Sequence, residues 1–210
     1  MESVKLVDNP VAVTEKKREI GDPGPGLTFI FSMLAICFWG SSQGLYSGQS
    51  VLAMGIVQLA CYIPYLISTV LYYLKGDTLN AAIFMIFSTL FGGVGGGLNI
   101  AAGIGQLKGF ELSPEISAIP YFCSAVAVVP LLICVRKKAS ATTFLCFSAV
   151  VIFLTLPMLV TYGVLPAEGT NTVIKYLYLF VAVGGFYTMF NALLVAGGCK
   201  PLPEGKPLFK

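Results

Sequence analysis

The chain has 210 residues, of which 56% are hydrophobic and only 11% charged, with no histidine and a formal net charge of +3. A soluble domain carries about 25% charged residues, so the composition excludes a soluble domain of any size. The six cysteines form no CxxC pair, and without histidine a metal site lacks its usual ligands.

Six apolar stretches succeed one another, with cores near 27–46, 52–73, 81–101, 118–135, 141–162 and 176–197. Each is close to the ~20 residues that a helix needs to cross the hydrocarbon. Only helices or closed barrels satisfy their backbone there, and unbroken apolarity reads as helix. The expected fold is therefore all-α, a six-transmembrane-helix bundle. Residues 1–20 are polar, with no apolar stripe, and are expected to form a mobile cytoplasmic arm. Residues 21–199 would be the membrane domain and 200–210 a cytoplasmic tail. The first span is long and lacks a small-residue cleavage pattern, so it is not expected to be a removable signal.

Asp22 is the expected N-cap of the first helix, with Pro23 and Pro25 at its start. Lys75-Gly76-Asp77-Thr78 predicts a tight turn, with Asp77 or Thr78 capping the third helix. The third span then carries Phe91-Gly92-Gly93-Val94-Gly95-Gly96-Gly97-Leu98-Asn99. Such glycines serve either as a face for close helix packing or as a locally opened helix lining a path. Ser113-Pro114-Glu115 reads as cap, first-turn proline and dipole-matching acid. Ser140 can cap the fifth helix, and Thr170, Asn171 or Thr172 the sixth. Pro64, Pro120, Pro130 and Pro157 predict kinks within spans.

Cations set the orientation. Lys5, Lys16, Lys17, Arg18, Lys75, Arg136, Lys137, Lys138, Lys200, Lys206 and Lys210 fall on one side of the six spans, and only Lys108 and Lys175 on the other. Both termini are expected in the cytoplasm, in the plasma membrane or a bacterial inner membrane.

No core of the six stretches contains a Lys, Arg, His, Asp or Glu. Intramembrane hydrolysis needs a serine with a base, an acid pair or a metal, and an ATP-driven pump needs a phosphate loop. The chain offers none of these, so an enzyme is not expected, nor a cofactor or a nucleic-acid partner. The polar groups at membrane depth are neutral. Serines and threonines there usually bond back to their own helix or join helices. Gln43, Asn99 and Asn191 are larger and are candidates for polar steps along a path. Phe29, Phe31, Phe84, Phe87, Tyr162 and Tyr187 can narrow a pore hydrophobically. The pattern suits a small solute that needs no fixed counter-charge. A weak carboxylic acid fits: with a pKa near 4, under about 1% is neutral at pH 7. A facilitator must then carry the neutral form or hold the anion with helix dipoles and hydroxyls.

Over residues 21–205 the chain resembles the acetate uptake transporter family, the succinate–acetate permeases. Asp22-Pro23-Gly24-Pro25-Gly26-Leu27 is similar to that family's Asn-Pro-Ala-Pro-Leu-Gly-Leu at the start of helix 1. Lys75-Gly76-Asp77-Thr78 with Ala81-Ala82 resembles its Lys-Gly-Asn-Thr turn. Phe144-Leu145-Cys146-Phe147-Ser148 resembles its Phe-rich helix 5, and Leu202-Pro203-Glu204-Gly205 its tail motif. The resemblance implies a homo-hexamer of six-helix protomers in the lipid bilayer, each with a pathway for acetate and sometimes succinate. It also implies an apolar constriction, with Phe31 at the family's Phe, Phe87 at its Tyr and Ala149 at its Leu. Some relatives carry an acid late in helix 6, where this chain has Asn191-Ala192. The expected function is channel-like or proton-linked transport of acetate and related short-chain monocarboxylates. Asp22, Pro23 and Pro25 would set the entrance, Phe31, Phe87 and Ala149 the gate, and Gln43, Asn99 and Asn191 the polar steps. The alternatives are a channel for ammonia, urea or water, and a six-span structural protein.

Overall fold

The computed structural model describes residues 21–46 and 49–209, and every regular element in them is helical. The expected N-terminal arm and the Ser47–Gly48 part of the first connection lie outside the described residues. The elements are α1 (Gly24–Ser42), α2 (Ser50–Leu74), α3 (Thr78–Phe87), a π-helical turn (Ser88–Val94), α4 (Gly95–Lys108), α5 (Glu115–Val135), α6 (Ala141–Thr161) and α7 (Ala167–Ala196). The π turn joins α3 and α4 into one rod, Thr78–Lys108, so six rods are long and apolar enough to cross a membrane. This is a multi-pass integral membrane protein.

Local chemistry sets the helix ends. Asp77 caps α3, accepting from the Asn80 N–H at 3.1 Å, and Ser140 caps α6, accepting from the Thr143 N–H at 3.2 Å. Several expected ends move. Asp22 sits one residue outside the N-cap position, which Pro23 takes, although its carboxylate still accepts from the Gly24 N–H at 3.2 Å. Pro114, not Ser113, occupies the N-cap position of α5, and the Ser113 hydroxyl bonds the Glu115 carboxylate instead. None of Thr170, Asn171 and Thr172 caps the last helix. Pro166, in extended backbone, starts it at Ala167, with Glu168 in the first turn. Apolarity marks where the helix is dry, and this helix begins about two and a half turns before the expected core. Lys175 is therefore inside α7. The first helix stops at Ser42, short of the expected 46, because Gly44 adopts φ +70° and the Leu45 N–H turns back to the Gly40 carbonyl.

The rods pack in a closed circuit. The α1 helix lies on α7, α7 on α6, α6 on α5, and α5 on α3 and the π turn, while α2 closes the ring against α1, α3 and α4. Between α2 and α4 the backbones touch through glycine. A Cβ on Gly55 would lie 2.6 Å from the Ile100 nitrogen, and one on Gly103 would lie 2.6 Å from the Leu52 Cβ and 2.7 Å from its Cα. Backbone atoms cannot step aside as a side-chain tip can. Gly55→Ala and Gly103→Ala should each cost about 1–3 kcal/mol, read as a lower midpoint of thermal unfolding in detergent. Gly97→Ala, with nothing within 4 Å of its Cβ, should not lower that midpoint, because alanine favours the helix over glycine.

The glycine run also opens the helix. In the π turn the Gly95 N–H reaches back five residues to the Leu90 carbonyl. Returning to α spacing leaves one carbonyl over. The Phe91 carbonyl lies at that exit, and the fully buried Gln58 side chain donates to it at 2.7 Å. Gln58 Oε1 in turn accepts from Asn99 Nδ2 at 2.5 Å. The packing reading of the run thus holds in α4, and the turn before it is opened, but the freed carbonyl serves Gln58 and no residue of the run lines the cavity described below.

Candidate functional site

A cavity of about 340 Å³ opens at the end of the bundle that carries the start of α1 and the tail. Four helices supply its wall at helical spacing, with Tyr72 added from α2: Thr28 and Phe31 from α1; Asn80, Phe84 and Phe87 from α3; Thr143, Phe147 and Val150 from α6; and Thr188 and Asn191 from α7. In each case a polar residue sits one turn nearer the mouth than an aromatic, or another polar group shares its face. The polar rim comes first and the apolar floor lies deeper.

The floor is made of rings. Phe31 and Phe87 stack with centroids 5.0 Å apart and planes within 10°. Phe147 lies 6.0 Å from Phe87, and Phe91 meets Phe31 and Phe87 edge-on at 5.4 and 5.6 Å. Further along α1 the cluster continues through Phe38, Phe153 and Tyr178, with Phe153 and Tyr178 at 4.9 Å. Phe87 is only 3% exposed, so the rings shut the cavity on that side.

The rim has more acceptors than donors. The Thr28 hydroxyl spends its proton on the Gly24 carbonyl at 2.9 Å, and Thr188 on Gly185 at 3.0 Å. The Tyr72 hydroxyl donates to Asp22 at 2.9 Å, and Asn80 donates its amide to Asp77 at 2.7 Å. Lone pairs remain facing the cavity, and the two acidic residues Asp22 and Glu204 are among those that line it. Thr143 and Asn191 are the exceptions: Thr143 accepts from Ser140 at 2.9 Å and keeps its own proton to give, and Asn191 keeps its N–H₂ because only its oxygen is taken by the tail. No Lys or Arg lines the cavity among the described residues. Lys75 approaches Asp22 from outside at 3.7 Å, an exposed pair worth about 0–1 kcal/mol.

The tail straps the mouth. The Leu202 N–H donates to Asn191 Oδ1 at 2.7 Å, and the Tyr187 hydroxyl donates to the Pro203 carbonyl at 2.9 Å. The Thr142 N–H and hydroxyl both donate to the Glu204 carbonyl, at 3.2 and 3.0 Å. These bonds span α7 to α6 and bring Glu204 into the wall. Asn191→Leu removes the first of them, worth about 0.5–1.5 kcal/mol net. Local opening should rise roughly two- to tenfold, measured as faster cleavage after Glu204 by a glutamate-specific protease.

The residues singled out from sequence divide accordingly. Phe31, Phe87, Asn191, Asp22 and Pro25 come together at the cavity. Pro23 ends the approach to α1 without lining it, and Tyr187 holds the tail. Asn191 does too, through its carbonyl oxygen. Ala149 is buried behind the wall, where Val150 and Phe147 of the same helix face the cavity instead. Asn99 is paired with Gln58, and Gln43 is exposed at the far end of α1. Sequence reasoning missed Thr28, Asn80, Thr143, Thr188 and Glu204. The signal for the first four was a polar residue three or four positions from a wall residue on the same helix.

A solved structure shares this architecture. It is described as the structure of the bacterial acetate channel SatP, and it matches with a TM-score of 0.65 over 89% of this chain and 100% of that one. The two are 16% identical, so the likeness is one of fold. No family model and no curated protein matches the sequence.

Proposed function

We propose that this protein is a membrane channel or transporter for acetate and related short-chain monocarboxylates, with succinate at the upper size limit. The carrying observation is the cavity itself: an acceptor-rich rim without a lining cation, closed by the Phe31–Phe87 stack. A carboxylate anion finds no counter-charge there, whereas a neutral acid can donate its O–H to the rim and lay its methyl on the rings. The fold of a structure described as an acetate channel supports the reading, as do the helix 1 and tail motifs. Phe31 and Phe87 form the gate, with Phe147 as its third wall, and the mouth faces the cytoplasm on the distribution of Lys and Arg. Each protomer of a hexamer carries its own pathway, and no step is catalytic.

Labelled acetate uptake into proteoliposomes tests this reading. Saturable flux above protein-free vesicles is expected, and its absence sinks the proposal. A second reading, a channel for ammonia or urea, draws on the same excess of acceptors, which suits N–H donors equally well. Stopped-flow swelling with each solute separates the two.

A further inference from the structure

We propose that Gln58 is a positioning residue for the aromatic gate, a reading that rests on the transport function proposed above. Gln58 does not touch the cavity. It is fully buried on α2 and donates across to the carbonyl left over at the π turn. The residue carrying that carbonyl is Phe91, whose ring meets Phe31, Phe38, Phe87 and Phe153 at centroid distances of 5.4 to 6.3 Å. The backbone end of Phe91 is pinned by an amide, and its ring closes the gate from the far side.

Helix geometry couples the amide to the ring. A π turn holds one residue more than the α-helix it interrupts, and relaxing it to α spacing rotates one side of the rod against the other by about 100° about the axis. That rotation would carry Phe91 out of the ring cluster. The Gln58 amide stabilises the wound form by supplying the donor that the backbone cannot. The Phe91 carbonyl can only accept, so it turns the Gln58 nitrogen toward itself, and the Gln58 oxygen left on the other side is satisfied by the Asn99 N–H₂. Gly95 leaves room for the device: a Cβ there would lie 2.6 Å from Gln58 Nε2. A buried glutamine serving packing alone would not need a partner to orient it or a carbonyl freed by an irregular turn.

The test uses the full-length protein with 4-fluorophenylalanine in place of Phe91, and a second sample labelled in place of Phe29 on the exposed face of α1. Gln58→Leu should move or split the fluorine resonance at Phe91 and leave that at Phe29 in place. Asn99→Ala, a gentler change at a half-buried site, should do the same in smaller measure. In proteoliposomes both variants should leak acetate and urea roughly three- to tenfold faster than the parent, the range expected for losing one or two ring contacts. A Phe91 resonance unmoved in both variants overturns the proposal, as does a moved resonance with unchanged leak. Parent vesicles that pass no acetate would sink the transport reading, and the resonances would still decide whether Gln58 holds the turn.

Discussion

Phe87→Ala should raise acetate flux through proteoliposomes by about tenfold and lower selectivity for small solutes. The rings of Phe31 and Phe87 stack at 5.0 Å, and Phe87 also meets Phe91 and Phe147. A solute can pass the floor only when some of these contacts part. Each aromatic pair is worth about 0.5–1.5 kcal/mol beyond simple burial, so parting one or two costs about 1–2 kcal/mol, and 1.36 kcal/mol is a factor of ten in rate. Removing the ring removes that cost from the barrier and lets water wet the constriction. The same change leaves a hole in a well-packed centre, at a cost of about 3–5 kcal/mol of stability in soluble cores. Phe87→Leu fills more of that hole and should show a smaller rise, about threefold. Flux within twofold of the parent for both variants would mean that the stack is not the barrier.

The fold was legible because the bilayer demands a single feature, apolar length, and composition reports it directly. All six rods sit where the apolar cores predict them. Their ends were less legible, since apolarity says nothing of where hydrogen bonding begins. The last helix shows this best: Pro166 and Glu168 were the start signals, and nine residues of helix precede the expected core at 176. The irregular turn in the third rod was visible only as a glycine run, because its decisive partner, Gln58, comes from another helix thirty-three residues away.

The site was legible in part for a related physical reason. In a soluble helix the buried face stands out as apolar against a polar background. Here lipid and core are both apolar, so the face turned inward carries no such contrast. Phe31 and Phe87 were found through resemblance to a family, and the structure stacks them. Ala149 was placed by the same route, but its helix turns Phe147 and Val150 to the cavity instead. Single polar residues were weighed by size, which favoured Gln43 and Asn99 and passed over Thr28 and Thr188. Their pairing one turn from Phe31 and Asn191 was the better guide, since position on a helix face decides access whatever the bulk of the side chain.

Flux above protein-free vesicles should rise about tenfold between pH 7 and pH 6 at constant total acetate, because the neutral fraction of a carboxylic acid with a pKa near 4 to 5 grows tenfold per unit over that range. An anion pathway would instead be nearly flat, since the anion is the dominant form at both values. The sign comes from the rim. Asp22 and Glu204 line the mouth, and no Lys or Arg lines it among the described residues. At about 6 Å and an effective dielectric constant of 20 to 80, an unpaired carboxylate opposes an entering anion by about 0.7–3 kcal/mol, and Lys75, 3.7 Å from Asp22, offsets part of that residue's share. Three helix N-termini, those of α1, α3 and α6, also point here, but Asp22, Asp77 and the Glu204 carbonyl already take N–H groups in their first turns. The positive ends of the dipoles are thus largely answered before a solute arrives. Asp22→Asn combined with Glu204→Gln should weaken the exclusion and flatten the pH dependence by admitting the anion at pH 7. A parent protein whose flux is already flat from pH 7 to pH 6 would reverse the assignment, and dipoles rather than protonation would have to carry the charge across the rim.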